Sequence, residues 1–259
     1  MAPSKDTPEA PAGDRIAKVI ARAGICSRRA AEQLISEGRV FVNGELLKSP
    51  AYNVQPEDVI QVDGEPLPSS KKMQLWLYHK SKGIVTTHSD PQGRKTVFES
   101  LPRELPRVIS VGRLDLNTEG LLLLTNDGTL ARHLEHPTTG WARRYRVRVY
   151  GKITPKLMKD FEALKDGITI DGITYGSIRV AIEKKKGDAE AKKSHNSWLT
   201  MSISEGKNRE IRKILEHFGL QVTRLIRVSY GPFQLGALQP GEAKQVPQKM
   251  LADQLGNWT

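Results

Sequence analysis

Two side chains in the segment VGRLDLNTEGLLLLTNDG, residues 111–128, are spaced to do chemistry: Arg113 and, two positions on, Asp115. A carboxylate can serve as nucleophile or base. The apolar run at 121–124 reads as a strand buried on both faces, so the polar loop before it is tied to a core. A second reading is calcium binding, because Asp115, Asn117, Glu119 and Gly120 match positions one, three, five and six of an EF-hand loop. Position twelve is Asn126 where a bidentate Glu is required, and the flanks read as strands, which sets calcium aside. A third reading, an aspartate that only closes a turn, stays open for this motif taken alone.

Two further stretches combine charge with an aromatic or a helical pattern. Tyr145 lies in RRYRVRVYG, where Arg143, Arg144, Arg146 and Arg148 put cationic side chains around it. A strand tyrosine is ordinarily core packing, and the surrounding arginines shift that balance toward a nucleic-acid site. The segment GKNREIRKIL places Lys207, Arg209 and Lys213 around Arg212 on a helix; they read as phosphate contacts, or else as solvated charges. His133 and His136 have no carboxylate or thiol set beside them, so no metal site is expected.

Composition narrows the class. The chain of 259 residues is long enough for two domains and carries 40 Lys+Arg against 29 Asp+Glu, a net charge of +11. Such a balance suits a polyanionic partner, since each phosphate contact releases counterions. Cys26 is the single cysteine, which excludes an internal disulfide and thiolate metal clusters. No apolar run approaches the roughly 20 residues that span a bilayer, and MAPSKDTPEAPAGD has no apolar core of a secretory signal, so a cytoplasmic protein is expected.

The elements that must position these residues fall into two groups. Residues 1–14 read as a disordered tail. Over 15–63, RIAKVIARAG and RRAAEQLISEG show helical spacing, with Ser27 as N-cap between them and glycines 24 and 38 as stops. Asn43-Gly44 and Asp63-Gly64 then mark tight turns in a small sheet. Residues 64–72, GEPLPSSKK, have linker composition. From 73 to 243 the pattern is strand-rich: MQLWLYHK, GIVTT, RVISV, GLLLLTN, RRYRVRVYG, GITI, SIRVAI, WLTMSIS and VTRLIRVSYG. Three clear helices interrupt it, DGTLARHLEH, TPKLMKDFEAL and NREIRKILEHFG. The fold class is α+β, with a mixed, largely antiparallel sheet in the larger domain. The stretch 183–195 is charged and reads as a solvated loop, and 244–259 as a polar tail.

The segment RIAKVIARAGICSRRAAEQLISEGRVFVNG resembles the S4 domain, an RNA-binding module. Its Arg28 and Arg29 fall in the first turn of the second helix, with Lys18 and Arg22 on the preceding one, a surface suited to gripping phosphate without reading bases. Behind it, GRLD followed by TEGLLLLTNDG resembles the second motif of the bacterial S4-containing ribosomal RNA pseudouridine synthases. LYHKSKGIVTTHSDPQGRKTV resembles the family's first motif, and HPTTGWARRYRVRVYG the segment of its essential tyrosine. EGKNREIRKIL with VTRLIRVSYGPFQLGAL resembles the third.

The resemblance implies roles. Asp115 would be the essential aspartate, Tyr145 would stack on the target uracil, and Arg212 would pair with Asp115. Leu225 would wall the base pocket, Arg113 would fill the space a flipped uridine leaves, and Lys207 and Arg209 would contact the RNA. The reaction breaks N1–C1′, turns the uracil and joins C5 to C1′, so no cofactor or metal is implied. The base must leave its stack, a cost that stacking on Tyr145 would offset by about 1–3 kcal/mol. Arg209-Glu210, where the small-subunit enzyme has His-Gln, points to 23S RNA of the large subunit, and a monomer is expected. Two departures are visible: His79-Lys80-Ser81 stands where the family has Asn-Lys-Pro, and Arg143 where Lys is common.

Overall fold

A computed structural model of the chain describes residues 13–69, 72–183 and 195–256. The chain divides into two compact units, Met1–Met73 and Gln74–Thr259.

The first unit holds β1 (Asp14–Arg15), α1 (Ile16–Arg22), α2 (Arg28–Ser36), β2 (Val40–Val42), β3 (Glu45–Leu46), β4 (Asn53–Val54), β5 (Ile60–Val62) and β6 (Glu65–Pro66). Ser27 caps α2 by accepting from the Ala30 amide at 3.1 Å, satisfying one of the orphan donors of the first turn. Asn43 and Gly44 both have positive φ, 54° and 84°, the backbone that turns β2 tightly into β3. Ile16, Ile20, Ala31 and Ile35 from the helices close on Val40, Val42, Ile60 and Val62 from the sheet.

The second unit is organised by one sheet of nine strands. In chain order its elements are β7 (Leu75–Lys80), β8 (Ile109–Val111), β9 (Glu119–Thr125), α3 (Gly128–Glu135), β10 (Arg143–Tyr150), α4 (Pro155–Ala163), β11 (Ile168–Ile170), β12 (Ile173–Tyr175), β13 (Ile178–Ile182), β14 (Asn196–Ile203), α5 (Glu210–His217), β15 (Gln221–Tyr230), β16 (Phe233–Gln234), β17 (Ala243–Gln245) and α6 (Gln248–Leu255). The sheet runs β13-β14-β10-β15-β9-β7-β17, with β16 added to β15 and β8 to β9, while β11 and β12 form a separate pair. Among the described residues its one parallel pairing is β15 with β9, so the sheet is mixed and largely antiparallel.

Strand β9 is the axis. Leu121, Leu122, Leu123 and Leu124 are all 0% exposed, which the continuous apolar run anticipates for a strand covered on both sides. One edge pairs with β7 throughout; the other is shared, β8 meeting residues 123–125 and β15 meeting 119–120. Gly120 makes the second junction possible: its φ is +100°, and a Cβ there would overlap the backbone of Arg227 on β15. Leu122, Leu124, Val147 and Val149 form one face of the sheet, where Leu157 and Phe161 of α4 and Ile211, Ile214 and Leu215 of α5 pack.

Three sequence expectations need correction. Residues from 244 on are no polar tail: β17 pairs with β7, and α6 buries Leu251 and Leu255 at i, i+4 spacing. Val246 is 1% exposed between them, so three well-placed apolar side chains outweigh a polar composition. The linker begins later than residue 64, because Glu65–Pro66 pairs with β5 and the Leu67 amide bonds to Ile60 O. GIVTT does not join the sheet; its Val85 makes only an isolated bridge to Thr96. The tail at 1–14 and the loop at 183–195 lie, apart from 13–14, 183 and 195, outside the described residues.

Leu251→Ala is expected to cost about 2–5 kcal/mol in urea unfolding, as for other buried leucines. A tail in solvent would register no change.

Candidate active site

The loop 112–118 leaves β8 and returns as β9, at the point where the free edge of β9 passes from β8 to β15. Its five central carbonyls, from Leu114 to Thr118, all accept hydrogen bonds. Thr86 Oγ1 donates to Leu114 O at 2.9 Å and accepts from the Leu114 amide at 3.3 Å. The Thr118 amide donates to Asp115 O at 3.0 Å, and the Gly83 amide to Leu116 O at 2.8 Å. Arg212 Nη2 donates to Asn117 O at 2.9 Å. Lys80 Nζ donates to Thr118 O at 2.9 Å, to Ser81 O at 3.1 Å and to Leu116 O at 3.4 Å. At the far end the Gly112 amide donates to Glu135 Oε1 of α3 at 2.6 Å.

Lys80 is the unusual member of this set, a lysine with 0% exposure. It stands two residues after Tyr78 and four after Trp76 on β7, so strand alternation buries it with them. Burial pushes its ammonium down to about 8, against the pull of the Asp115 and Glu119 carboxylates. Three carbonyls satisfy its three protons, which is how a buried ammonium is tolerated.

A cleft of about 1030 Å³ opens over this loop. Arg113 and Asp115 line it from the loop, Tyr145 from β10, Leu225 from β15, Arg212 from α5, and Lys207 and Arg209 from the turn before α5. Segments separated by more than a hundred positions in the sequence thus meet at one site. The Asp115 carboxylate is half-buried and takes no hydrogen bond or ion pair from the described residues. Tyr145 is 8% exposed and lines the cleft together with Leu225 and the Asp115 loop. Arg113 and Arg209 are exposed on the rim.

Two expectations change. Arg212 does not form a direct ion pair with Asp115, because its guanidinium is taken by Asn117 O and, at 3.4 Å, by Val222 O. The two still interact through space: burial and Arg209 lower the guanidinium pKa, and Asp115 raises it. Lys207 reaches Thr174 O at 2.7 Å and the Glu205 carboxylate, and lies over the Tyr175 ring, so it braces the wall of the cleft. Of the arginines around Tyr145, only Arg143 lines the cleft; Arg144, Arg146 and Arg148 alternate to the opposite face of the sheet.

Further residues, to which the sequence assigned no role in the site, complete it. Arg143 donates to Ser204 O and to the Tyr230 hydroxyl, both at 2.8 Å, and lies over the Tyr230 ring. Arg227, 3% exposed, donates from Nε to Leu121 O at 2.7 Å. Glu210 is 3% exposed and accepts from the Lys207 amide at 2.9 Å, setting the turn that starts α5; burial raises its carboxyl pKa. Lys80 was legible in principle, as a lysine in phase with the apolar face of its strand. In the first unit, Lys18 pairs with Asp14 at 2.6 Å, while Arg22, Arg28 and Arg29 are exposed, the last two in the first turn of α2.

The family model of RNA pseudouridylate synthase matches residues 74–217, and that of the S4 domain residues 14–60. An uncharacterized RNA pseudouridine synthase of Rickettsia bellii is 51% identical over 236 residues, 91% of this chain and 98% of its own length. A ribosomal large subunit pseudouridine synthase B of Pseudomonas aeruginosa is 38% identical over 265 residues, 99% of this chain and 66% of that protein. A crystal structure of a pseudouridylate synthase superposes with a TM-score of 0.62 at 25% identity, over 92% of this chain and 97% of that one. The chain belongs to the RNA pseudouridylate synthase family. It is an RNA pseudouridine synthase with an S4 domain in front of its catalytic domain.

Lys80→Met keeps the stem but leaves Thr118 O without its donor, so the Asp115 loop loosens. Single-turnover isomerisation is expected to fall on the order of 10²-fold, as for small misplacements of a reacting group. In the wild type the rate should also decline above about pH 8, where the amine keeps two protons for three carbonyls. Stability moves the other way for this group: the unfolded chain holds the proton up to about 10.5, so unfolding takes up a proton between 8 and 10.5 and becomes harder as pH rises. A Lys80→Met enzyme with the wild-type rate and pH profile would remove the clamp from the account.

Proposed function

We propose that this enzyme isomerises uridine in ribosomal RNA, in the 23S RNA of the large subunit, with Asp115 as the essential carboxylate. The observation that carries this reading is the meeting of Asp115, Tyr145, Arg212 and Leu225 in one cleft. The name of the Pseudomonas aeruginosa relative, a large-subunit enzyme, supports the choice of target. The Arg209-Glu210 pair before Arg212 supports it as well.

The chemistry asks for little beyond these groups. The N1–C1′ bond breaks with the help of the Asp115 carboxylate, the free uracil turns, and C5 bonds to C1′. N1 gains a proton and C5 loses one, so atoms and electrons balance without a redox cofactor. Tyr145 supplies the stacking face for the flipped base and Leu225 the apolar wall. Arg212 acts on Asp115 in two ways: through space on the carboxylate, and through Asn117 O on the loop that presents it. Arg113 at the rim takes the place of the extruded uridine, and Arg209 meets phosphate. Arg28, Arg29, Lys18 and Arg22 hold the RNA at the S4 domain, and the enzyme works as a cytoplasmic monomer. Among the described residues no helix is long and apolar enough to cross a membrane.

Asp115→Asn is expected to abolish tritium release from C5-labelled uridine RNA while leaving RNA affinity unchanged; release at the wild-type rate would defeat the assignment. Mapping pseudouridine in both ribosomal subunits, with and without the gene, tests the target: a lost site in 23S RNA supports it and one in 16S RNA overturns it. Tyr145→Phe keeps the ring and is expected to keep most activity, whereas Tyr145→Ala loses about 1–3 kcal/mol of stacking and with it the rate. Melting temperatures measured beside single-turnover rates separate this from a packing defect, which would lower stability and spare the chemistry.

A further inference from the structure

The face of the catalytic sheet opposite the cleft carries an ordered array of arginines. On β10, Tyr145, Val147 and Val149 point into the core, and Arg144, Arg146 and Arg148 are exposed on the other side. Their neighbours across the sheet extend the array: Arg148 stands opposite Arg224 of β15, and Arg144 and Arg179 of β13 both stand opposite Ser202 of β14. Two of the five are held in place. Arg146 forms a fork to Glu183 at 2.8–3.0 Å and lies 4.2 Å over the Trp198 ring, and Arg224 pairs with Glu119 at 2.9 Å. Arg144, Arg148 and Arg179 have no side-chain partner among the described residues.

Like charges set directly opposite each other in a sheet are destabilising, so Arg148 beside Arg224 is a cost to the fold. Solubility does not call for such a row, since scattered lysines would serve without it. Alternate positions on a strand are about 6.8 Å apart, which is of the order of the spacing between successive phosphates of a nucleic-acid strand. Guanidinium groups bind phosphate in bidentate fashion, and Trp198 keeps one of them flat. Two carboxylates against five arginines leave the face cationic, and both are already paired.

We infer that this face is a second RNA-binding surface, separate from the uridine cleft, which grips the phosphate backbone of an RNA helix. It rests on the RNA-modifying activity of the chain and adds a contact outside the cleft and the S4 domain. The contact would orient a structured RNA while another part of it enters the cleft.

The test uses the full chain carrying Asp115→Asn and a fluorescent RNA duplex of 16 base pairs, with anisotropy read from 50 to 300 mM salt, conditions that bracket the range where phosphate contacts are salt-sensitive. Replacing Arg144, Arg148 and Arg179 together by Gln is expected to weaken binding about tenfold or more and to reduce the slope of log K against log salt by about 2. The same three positions replaced by Lys should keep most of the affinity, and circular dichroism of both variants checks the fold. Unchanged affinity and slope in the Gln variant would overturn the inference. So would a polyglutamate chain that competes through these arginines as well as RNA does. If the triple Gln variant does not fold, the single variants Arg144→Gln, Arg148→Gln and Arg179→Gln decide: a smaller salt slope in each supports the surface, and an unchanged slope in all three overturns it. Pseudouridine formation by the wild type is measured separately, so loss of that activity would contradict the proposed reaction and leave this surface standing or falling by itself.

Discussion

The loop that carries Asp115 has five consecutive carbonyls, each held by a hydrogen-bond donor, and for four of them the donor comes from elsewhere in the domain. Thr86, Gly83 and Lys80 come from β7 and the stretch after it, Arg212 from α5, and Thr118 from the loop itself. Short polar loops on a protein surface ordinarily leave such groups to water. Here they are fixed, so the carboxylate is presented without needing a partner of its own. The cost is a buried ammonium, and the apolar walls of β7 and β9 that surround it explain why its pKa falls. The rest of the domain is consistent with protecting this arrangement. Gly120 lets β15 approach β9, and Glu210 sets the start of α5 so that Arg212 meets Asn117.

Strand alternation gives the same elements two unlike faces. Along β10 one set of side chains builds the core and the aromatic wall of the cleft, and the other set is cationic and exposed. Neither α4 nor α5 covers the cationic side, since both pack on the face of Leu122, Leu124 and Val147. A single strand can therefore hold a base on one side and a backbone on the other. An RNA enzyme must manage both tasks, as the phosphates supply affinity and the flipped base supplies the reaction.

Much of this was legible in the sequence where one signal governed. The apolar run of β9, the Ser27 cap, the turn at Asn43-Gly44 and the helices around Leu130, Phe161 and Ile214 follow from local patterns. The S4 and pseudouridine synthase motifs placed Asp115, Tyr145, Arg212 and Leu225, and these do share a cleft. What the pattern could not supply was competition between partners. The resemblance implied that Arg212 pairs with Asp115, and its guanidinium is held instead by the carbonyls of Asn117 and Val222. The arginines around Tyr145 looked like one cluster, but period-two alternation divides them. The C-terminal segment looked polar because only Val246, Leu251 and Leu255 carry its packing, and three residues do not stand out in composition.

The central claim is that the clamped loop delivers Asp115 to a base held between Tyr145 and Leu225. A crystal structure of the Asp115→Asn protein bound to its uridine-containing RNA tests it most directly. The account predicts one uridine outside its stack, its uracil against the Tyr145 ring and its C1′ facing the side chain at position 115, with Lys80 still bonded to Thr118 O. A uridine left in its stack, or bound away from this cleft while the RNA is otherwise engaged, would contradict it.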